Sequence, residues 1–314
     1  MEFYIAGASF VLGLTLQTLL KRPEAFAAGL NQFVIWVAMP AMILRALPGL
    51  VIDQSLLLPV LTPWLLFAVA YVLVAISGAW LGWSSTERVA MTILVGLGNT
   101  AFLGVPYVGK LLGDAAISTA VLYDQLGSFL ILSTVTMLMI AATQSAIESQ
   151  RRGTAVSQPG WPFYRAMLLK IISFPPFCCL LASLFLPIEG LVLALDPLLS
   201  ALALLILPIA LLVVGIHFRL HLQRSDLSFL VLVGGYKLVV LPALVSVWVA
   251  IWGVPGVASS AVILQSAMPP MITPVLLLIT AGIASRLTAT LLGYLTLVGC
   301  LSVYLWSLVL ARML

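Results

Sequence analysis

Polar residues in this chain are sparse and clustered, and between the clusters run apolar segments of about 18 to 28 residues. At 1.5 Å rise per residue, each segment is long enough for a hydrocarbon core of roughly 30 Å. Ten such segments are delimited: residues 3–20, 27–48, 56–83, 89–112, 115–141, 166–187, 190–217, 227–253, 257–283 and 287–312. The longest polar interval runs from Gln144 to Pro162 and holds Glu148, Arg151, Arg152, Gly153, Ser157, Gln158 and Pro159. It divides the chain into a first five-helix unit over 1–143, a linker over 144–163 and a second unit over 164–314. A five-span unit that is repeated must re-enter the membrane from the opposite side. The pattern therefore predicts an all-α polytopic membrane protein, with ten transmembrane helices arranged as two inverted five-helix repeats.

Two segments depart from the regular pattern at corresponding places in the halves. The fourth reads Val-Gly-Leu-Gly-Asn-Thr-Ala-Phe-Leu-Gly-Val-Pro from Val95 to Pro106, and the ninth reads Gln-Ser-Ala-Met-Pro-Pro-Met-Ile-Thr-Pro from Gln265 to Pro274. Glycine weakens a helix, and proline lacks an N–H and clashes with the carbonyl four residues earlier, so both helices are expected to open at these stretches. Broken backbone at membrane depth is tolerated only where protein or a watery cavity surrounds it. Two interrupted helices in matching positions are the pattern of a transporter whose site lies at the breaks. The second segment of each half also carries an internal proline, Pro40 and Pro208. Counted from the segment starts, Asn99, Asp124, Lys237 and Met268 each fall roughly 14 to 17 Å deep, at the bilayer midplane.

Composition narrows the class and charge sets the orientation. The chain has 314 residues, 63% hydrophobic and 8% charged, with a mean hydropathy of +1.22, which excludes a soluble globular domain. The net charge of +4 does not point to nucleic acid, because the basic residues are spread among short loops. Alternate loops carry Lys21, Arg22, Arg88, Arg151, Arg152, Arg165, Lys170, Arg219, Arg224 and Arg286, against Arg45, Lys110 and Arg312 on the other side. Under the positive-inside rule the linker is cytoplasmic and both termini lie outside, in a multi-pass protein of the inner, or plasma, membrane. The N-terminus lacks the basic n-region of a signal peptide, so the first segment reads as a retained helix. Cys178, Cys179 and Cys300 lie in apolar runs and read as packing residues.

Candidate chemistry concentrates at the midplane. The half-helix that follows Asn99 presents N–H groups and a positive dipole end, which favour an anion, and Asn99 and Thr100 add donors. Asp124 and Lys237 cost on the order of 2.5 to 3.5 kcal/mol each to insert. They read either as a structural ion pair or solvated charges, or as function, the acid for proton coupling and the lysine for attracting a carboxylate. Gln125 reads as packing. His217 and His221 belong to a loop, and Met39, Met42, Met268 and Met271 are gap-fillers. Trp36, Trp64, Trp80, Trp83, Trp248 and Trp252 are expected as interfacial anchors. The chain lacks HExxH, GxSxG, a P-loop and any paired intramembrane carboxylate, so neither an enzyme nor direct use of ATP is expected, and no metal or cofactor is called for.

Three stretches carry a family resemblance: Leu30–Leu44, Gly98–Pro106 and Ala267–Pro270. They resemble the auxin efflux carrier family, including its bacterial members, and the resemblance spans essentially the whole chain. It implies inverted five-helix repeats, crossing fourth and ninth helices, and a scaffold domain beside a transport domain. It also implies transport of organic anions, auxin in plant members and dicarboxylates such as malate or malonate in bacterial ones. The bile acid:sodium symporters are related in fold. Thr273 stands where the family often has asparagine. The reading is a secondary transporter of small organic anions in the lipid bilayer, working by alternating access, with a homodimer left open. The expected binding residues are Gly98, Asn99, Thr100, Pro106, Ser266, Met268, Pro269, Pro270, Thr273 and Lys237, with Asp124 for proton coupling. The alternatives are a sodium-coupled symporter of the bile-acid type and a non-transporting receptor for such anions.

Overall fold

A computed structural model describes residues 2–48, 50, 54–153, 159–218, 222–252 and 256–311. Part of the linker, at 154–158, lies outside the described residues, as do Arg219, His221 and Arg312, and so does the side chain of Trp252. The helices are α1 (Glu2–Leu19), α2 (Pro23–Ala46), α3 (Gln54–Trp80), α4 (Ser85–Gly96), α5 (Thr100–Leu112) and α6 (Asp114–Arg152). There follow α7 (Trp161–Ile172), α8 (Pro175–Phe185), α9 (Glu189–His217), α10 (Arg224–Ile251), α11 (Val257–Ser266), α12 (Ile272–Thr280) and α13 (Ser285–Leu310). Six of these, α2, α3, α6, α9, α10 and α13, are long and apolar enough to cross a membrane; α7 and α8, bent by 59°, make a seventh if taken as one span. Among the described residues the extended backbone pairing is a single bridge between Gly98 and Pro270.

The helix ends follow local chemistry. Proline opens α2 and α8 in the first turn, where its missing N–H has no partner to lose. Ser84 caps α4: its hydroxyl accepts from the Glu87 N–H at 3.2 Å, and the Glu87 carboxylate accepts from the Ser84 N–H at 2.8 Å. Gly153, with φ of 64°, ends α6 in the left-handed conformation. At 39 residues α6 is about 58 Å long, so the polar stretch between the halves is helical as far as Arg152, and the next helix begins at Trp161.

The internal prolines act as their geometry requires. Ahead of Pro40 the helix widens into a π turn, Val34–Ala38, and ahead of Pro208 the ladder is interrupted at Leu205. The π turn Tyr236–Val240 in α10 stands ahead of Pro242 in the same way, whereas Tyr123–Ser128 and Leu132–Thr136 in α6 arise without proline.

The helices pack as two groups. In one, α1 lies along α9, and α2 packs on α8 and α9. The α1–α9 crossing is close: a Cβ on Gly13 would sit 2.2 Å from the Leu212 carbonyl, and one on Gly215 would sit 2.3 Å from that of Phe10. Small residues permit this backbone approach, which dispersion then stabilises. In the other group α3 packs on α4 and α6, α11 on α3, α5, α6 and α10, and α13 on α10 and α12. Arg286 joins α13 to α10 through a two-pronged contact with the buried Asp226, with both N–O distances 2.8 Å. Arg45, at the end of α2, reaches Asp196 of α9 at 2.7 Å and Asp114 at the start of α6 at 3.2 Å.

The tryptophans read as interfacial anchors differ in exposure. Trp36 and Trp80 are 65% and 87% exposed. Trp83 instead is buried and stacks on Phe229 at 4.6 Å, and Trp64 donates to the Leu126 carbonyl at 3.0 Å. Near a helix end, a large ring is buried wherever a neighbouring helix offers a matching face.

Candidate functional site

The first break occupies Leu97–Asn99, between α4 and α5, and the second occupies Ala267–Met271, between α11 and α12. The two meet. The Asn99 N–H donates to the Pro269 carbonyl at 2.7 Å, and the Met271 N–H donates to the Leu97 carbonyl at 3.0 Å, with Gly98 opposite Pro270 in antiparallel pairing. Each break thus supplies hydrogen-bond partners that the other lost on leaving its helix. Gly98 keeps the crossing close: a Cβ there would lie 3.1 Å from Lys237 Nζ and 3.3 Å from Met268, tight contacts that would need small shifts of both neighbours. Gly299 plays the matching part on α13, where a Cβ would lie 2.6 Å from Pro269.

Pro106 stands at the edge of the stretch expected to open rather than in the break itself. It lies in the second turn region of α5, beyond a π turn over Thr100–Gly104, and the chain leaves its helix earlier, at Leu97. The wider turn accommodates the missing N–H and the ring, so Pro106 shapes the entry to α5. Pro274 likewise sits in the first turn of α12, where its lack of an N–H breaks nothing. Pro269 and Pro270 lie within the second break.

Polar groups gather around the paired breaks. Asn99 is 2% exposed and its Nδ2 has no hydrogen-bond partner. At the start of α5 the Leu103 and Gly104 N–H groups both reach back to the Asn99 carbonyl, at 3.3 and 3.0 Å. The N–H groups ahead of them have no intrahelical acceptor. The Lys237 ammonium, 2% exposed, donates to the carbonyl of Ser266 at 3.4 Å, the last residue of α11, where a cation also suits the helix dipole. Met268 and Ser266 are buried, the latter with its hydroxyl on the Ile263 carbonyl, and Thr273 is half-buried.

Asp124 is held away from Lys237. Its Oδ1 accepts from Thr100 Oγ1 at 2.6 Å and its Oδ2 from Gln125 Nε2 at 2.7 Å. The two intramembrane charges therefore do not form the structural ion pair that was among the sequence readings. Gln125 was expected to be packing and proves to be a donor to this carboxylate. Gln265 has a larger part than its sequence position suggests: Nε2 donates to the Thr100 carbonyl at 3.3 Å and the Ala120 carbonyl at 3.1 Å, tying α11 to α5 and α6. Gly104 leaves room for it, since a Cβ there would sit 2.0 Å from Gln265 Oε1. The sequence signal for both glutamines was a long polar side chain inside an apolar run, which burial makes expensive without partners. Among the described residues no cluster of metal-ligating side chains occurs. Asn99 and Thr100, Asp124, and Lys237 each stand in or beside a π turn, a feature that recurs at functional sites.

The sequence profile described as membrane transport protein, that of the auxin efflux carrier family, matches residues 3–307. The chain belongs to this family. A curated relative from Methanothermobacter thermautotrophicus, described as an uncharacterized transporter, is 24% identical over 309 residues, covering 96% of this chain and 94% of the relative. Membership in a transport family, together with the long apolar helices, makes this a multi-pass membrane transport protein. Two of the three stretches that carried the resemblance, Gly98–Pro106 and Ala267–Pro270, contain residues of the paired breaks.

Proposed function

We propose that the protein is a secondary transporter of small organic anions and that the carboxylate of the substrate binds at the paired breaks. The observation that carries this is a surplus of donors there: the unpartnered Asn99 Nδ2, the opening N–H groups of α5, and a Lys237 ammonium with one long hydrogen bond. Buried donors without acceptors are costly, and a carboxylate would satisfy them together. Pro269, Pro270 and Met268 shape the opposite wall. Asp124, bonded to the hydroxyl of the residue that follows Asn99, couples transport to a proton.

Ten spans in two inverted repeats are part of the same proposal. The packing groups support it. Segments 1, 2, 6 and 7 form one group and segments 3, 4, 5, 8, 9 and 10 the other, and each set maps onto itself when every segment is exchanged for its counterpart five places away. The first group serves as scaffold. The second carries both breaks and moves against it in alternating access, with the linker cytoplasmic and the termini outside.

Ligand affinity measured in detergent on monodisperse protein tests the site. Asn99→Ala removes hydrogen bonds to a charged group, each worth about 1.5 to 3 kcal/mol, so malonate binding should weaken roughly ten- to a hundredfold. Asn99→Asp should weaken it further, because the new carboxylate repels the ligand where screening is poor. Parental affinity in Asn99→Asp would remove the carboxylate from this position, and Lys237→Met would then be the decisive variant.

A further inference from the structure

The guanidinium–carboxylate contacts differ in what they join. Arg152 and Glu148 pair within α6, and Arg286 and Asp226 pair between α13 and α10 of one packing group. Arg45 does something else. Its Nε donates to Asp196 Oδ1 at 2.7 Å, linking α2 and α9 of the scaffold group, while its Nη2 donates to Asp114 Oδ2 at 3.2 Å, at the start of α6 in the other group. The last turns of α2 pack on the first turns of α6 just inside this contact. One guanidinium is therefore anchored by one group and holds the other.

We propose that Arg45 and Asp114 form an ionic latch that keeps the outward end of the site closed, Asp196 serving to aim the guanidinium. This rests on the two-group reading above. Asp196, with Ser200 beside it, fixes the planar fork, so the charge pointing at Asp114 is already in place when the groups meet. The Asp114 side chain is 73% exposed and that of Arg45 is 31% exposed. An exposed pair is weak, which suits a contact that must release in every cycle. It also faces water at a helix end, where dissolved salt can compete with it. Gly113, with φ of 87°, sets the direction in which α6 departs from α5 and so positions the Asp114 carboxylate.

The test uses the full chain in right-side-out vesicles, with Cys178, Cys179 and Cys300 replaced and Met271→Cys as a half-buried reporter beside the breaks. A membrane-impermeant maleimide is applied from outside. Asp114→Asn should raise the labelling rate about two- to fivefold, the population shift available from an exposed pair. Salt at about 0.5 M should do the same to the parent and add nothing to Asp114→Asn, whereas Asp114→Glu should behave as the parent. Amide exchange at Leu97–Asn99 in protein lacking the reporter provides the same comparison independently. Unchanged labelling and exchange in Asp114→Asn, with a parent indifferent to salt, would overturn the latch. Malonate protection of the cysteine separates the two ideas: protection with no latch effect leaves the anion site standing, and a latch effect without protection sinks the site but keeps the latch.

Discussion

The two breaks that meet at the centre of the molecule are built by different means. At the first, the chain leaves α4 at Leu97 and re-enters α5 after Asn99. Its order comes from side chains: Thr100 on Asp124, and Gln265 reaching across to the Thr100 carbonyl. At the second, Pro269 and Pro270 hold the extended backbone through their rings, and Gly299 makes room for Pro269. The first break is thus a set of exchangeable hydrogen bonds, and the second a covalently stiffened wall. A transporter needs both, a surface that can respond to a ligand or proton and one that keeps its shape while the other responds.

The sharpest way to break this comparison is through the acid beside the first break. If Asp124 carries a proton in the cycle, the transport rate of the parent should vary by up to about tenfold per pH unit over part of the range, and Asp124→Asn should be flat there. Uptake of labelled malonate into liposomes at a series of pH values measures it. An active, well-folded Asp124→Asn with the parental profile would make the acid structural.

Thr100→Val should come next in size. It removes the hydroxyl that donates to Asp124 Oδ1 and leaves a buried carboxylate short of a partner, at a cost of about 1.5 to 3 kcal/mol. A clear fall in thermal midpoint is expected. Pro269→Ala should cost least, about 0.4 to 1 kcal/mol, because it mainly frees the unfolded chain while the Asn99 N–H keeps its acceptor, the residue 269 carbonyl. Thermal unfolding of both variants in the same detergent gives the ranking, and the reverse order would mean that proline rather than side-chain bonding holds the crossing together.

The overall class of the molecule and the approximate positions of its helices were legible because membrane burial writes itself into long apolar runs. The breaks were legible too, since glycine and proline act on their own backbone. What the stretch Val95–Pro106 left undecided was which of its residues opens the helix: Pro106 carries the obvious chemical signal, but the π turn at Thr100–Gly104 absorbs it, and the chain leaves its helix at Leu97. The π turn at Asp124 left no such mark, because no proline accompanies it, whereas the one at Lys237 stands ahead of Pro242 as the Thr100–Gly104 turn stands ahead of Pro106.

By itself, then, the sequence determined that the chain lives in a bilayer, that two of its helices must open, and which residue types lie at those openings. Those properties follow from local sterics and from the cost of polar groups in hydrocarbon, which each segment meets alone. Only the tertiary structure decided that the breaks pair with each other, that Asp124 bonds to Thr100 and Gln125 rather than to Lys237, that Gln265 bridges three helices, and that Trp83 is buried against Phe229. Each of these is a choice among partners far apart in the chain, and such choices are made by the packing of whole helices.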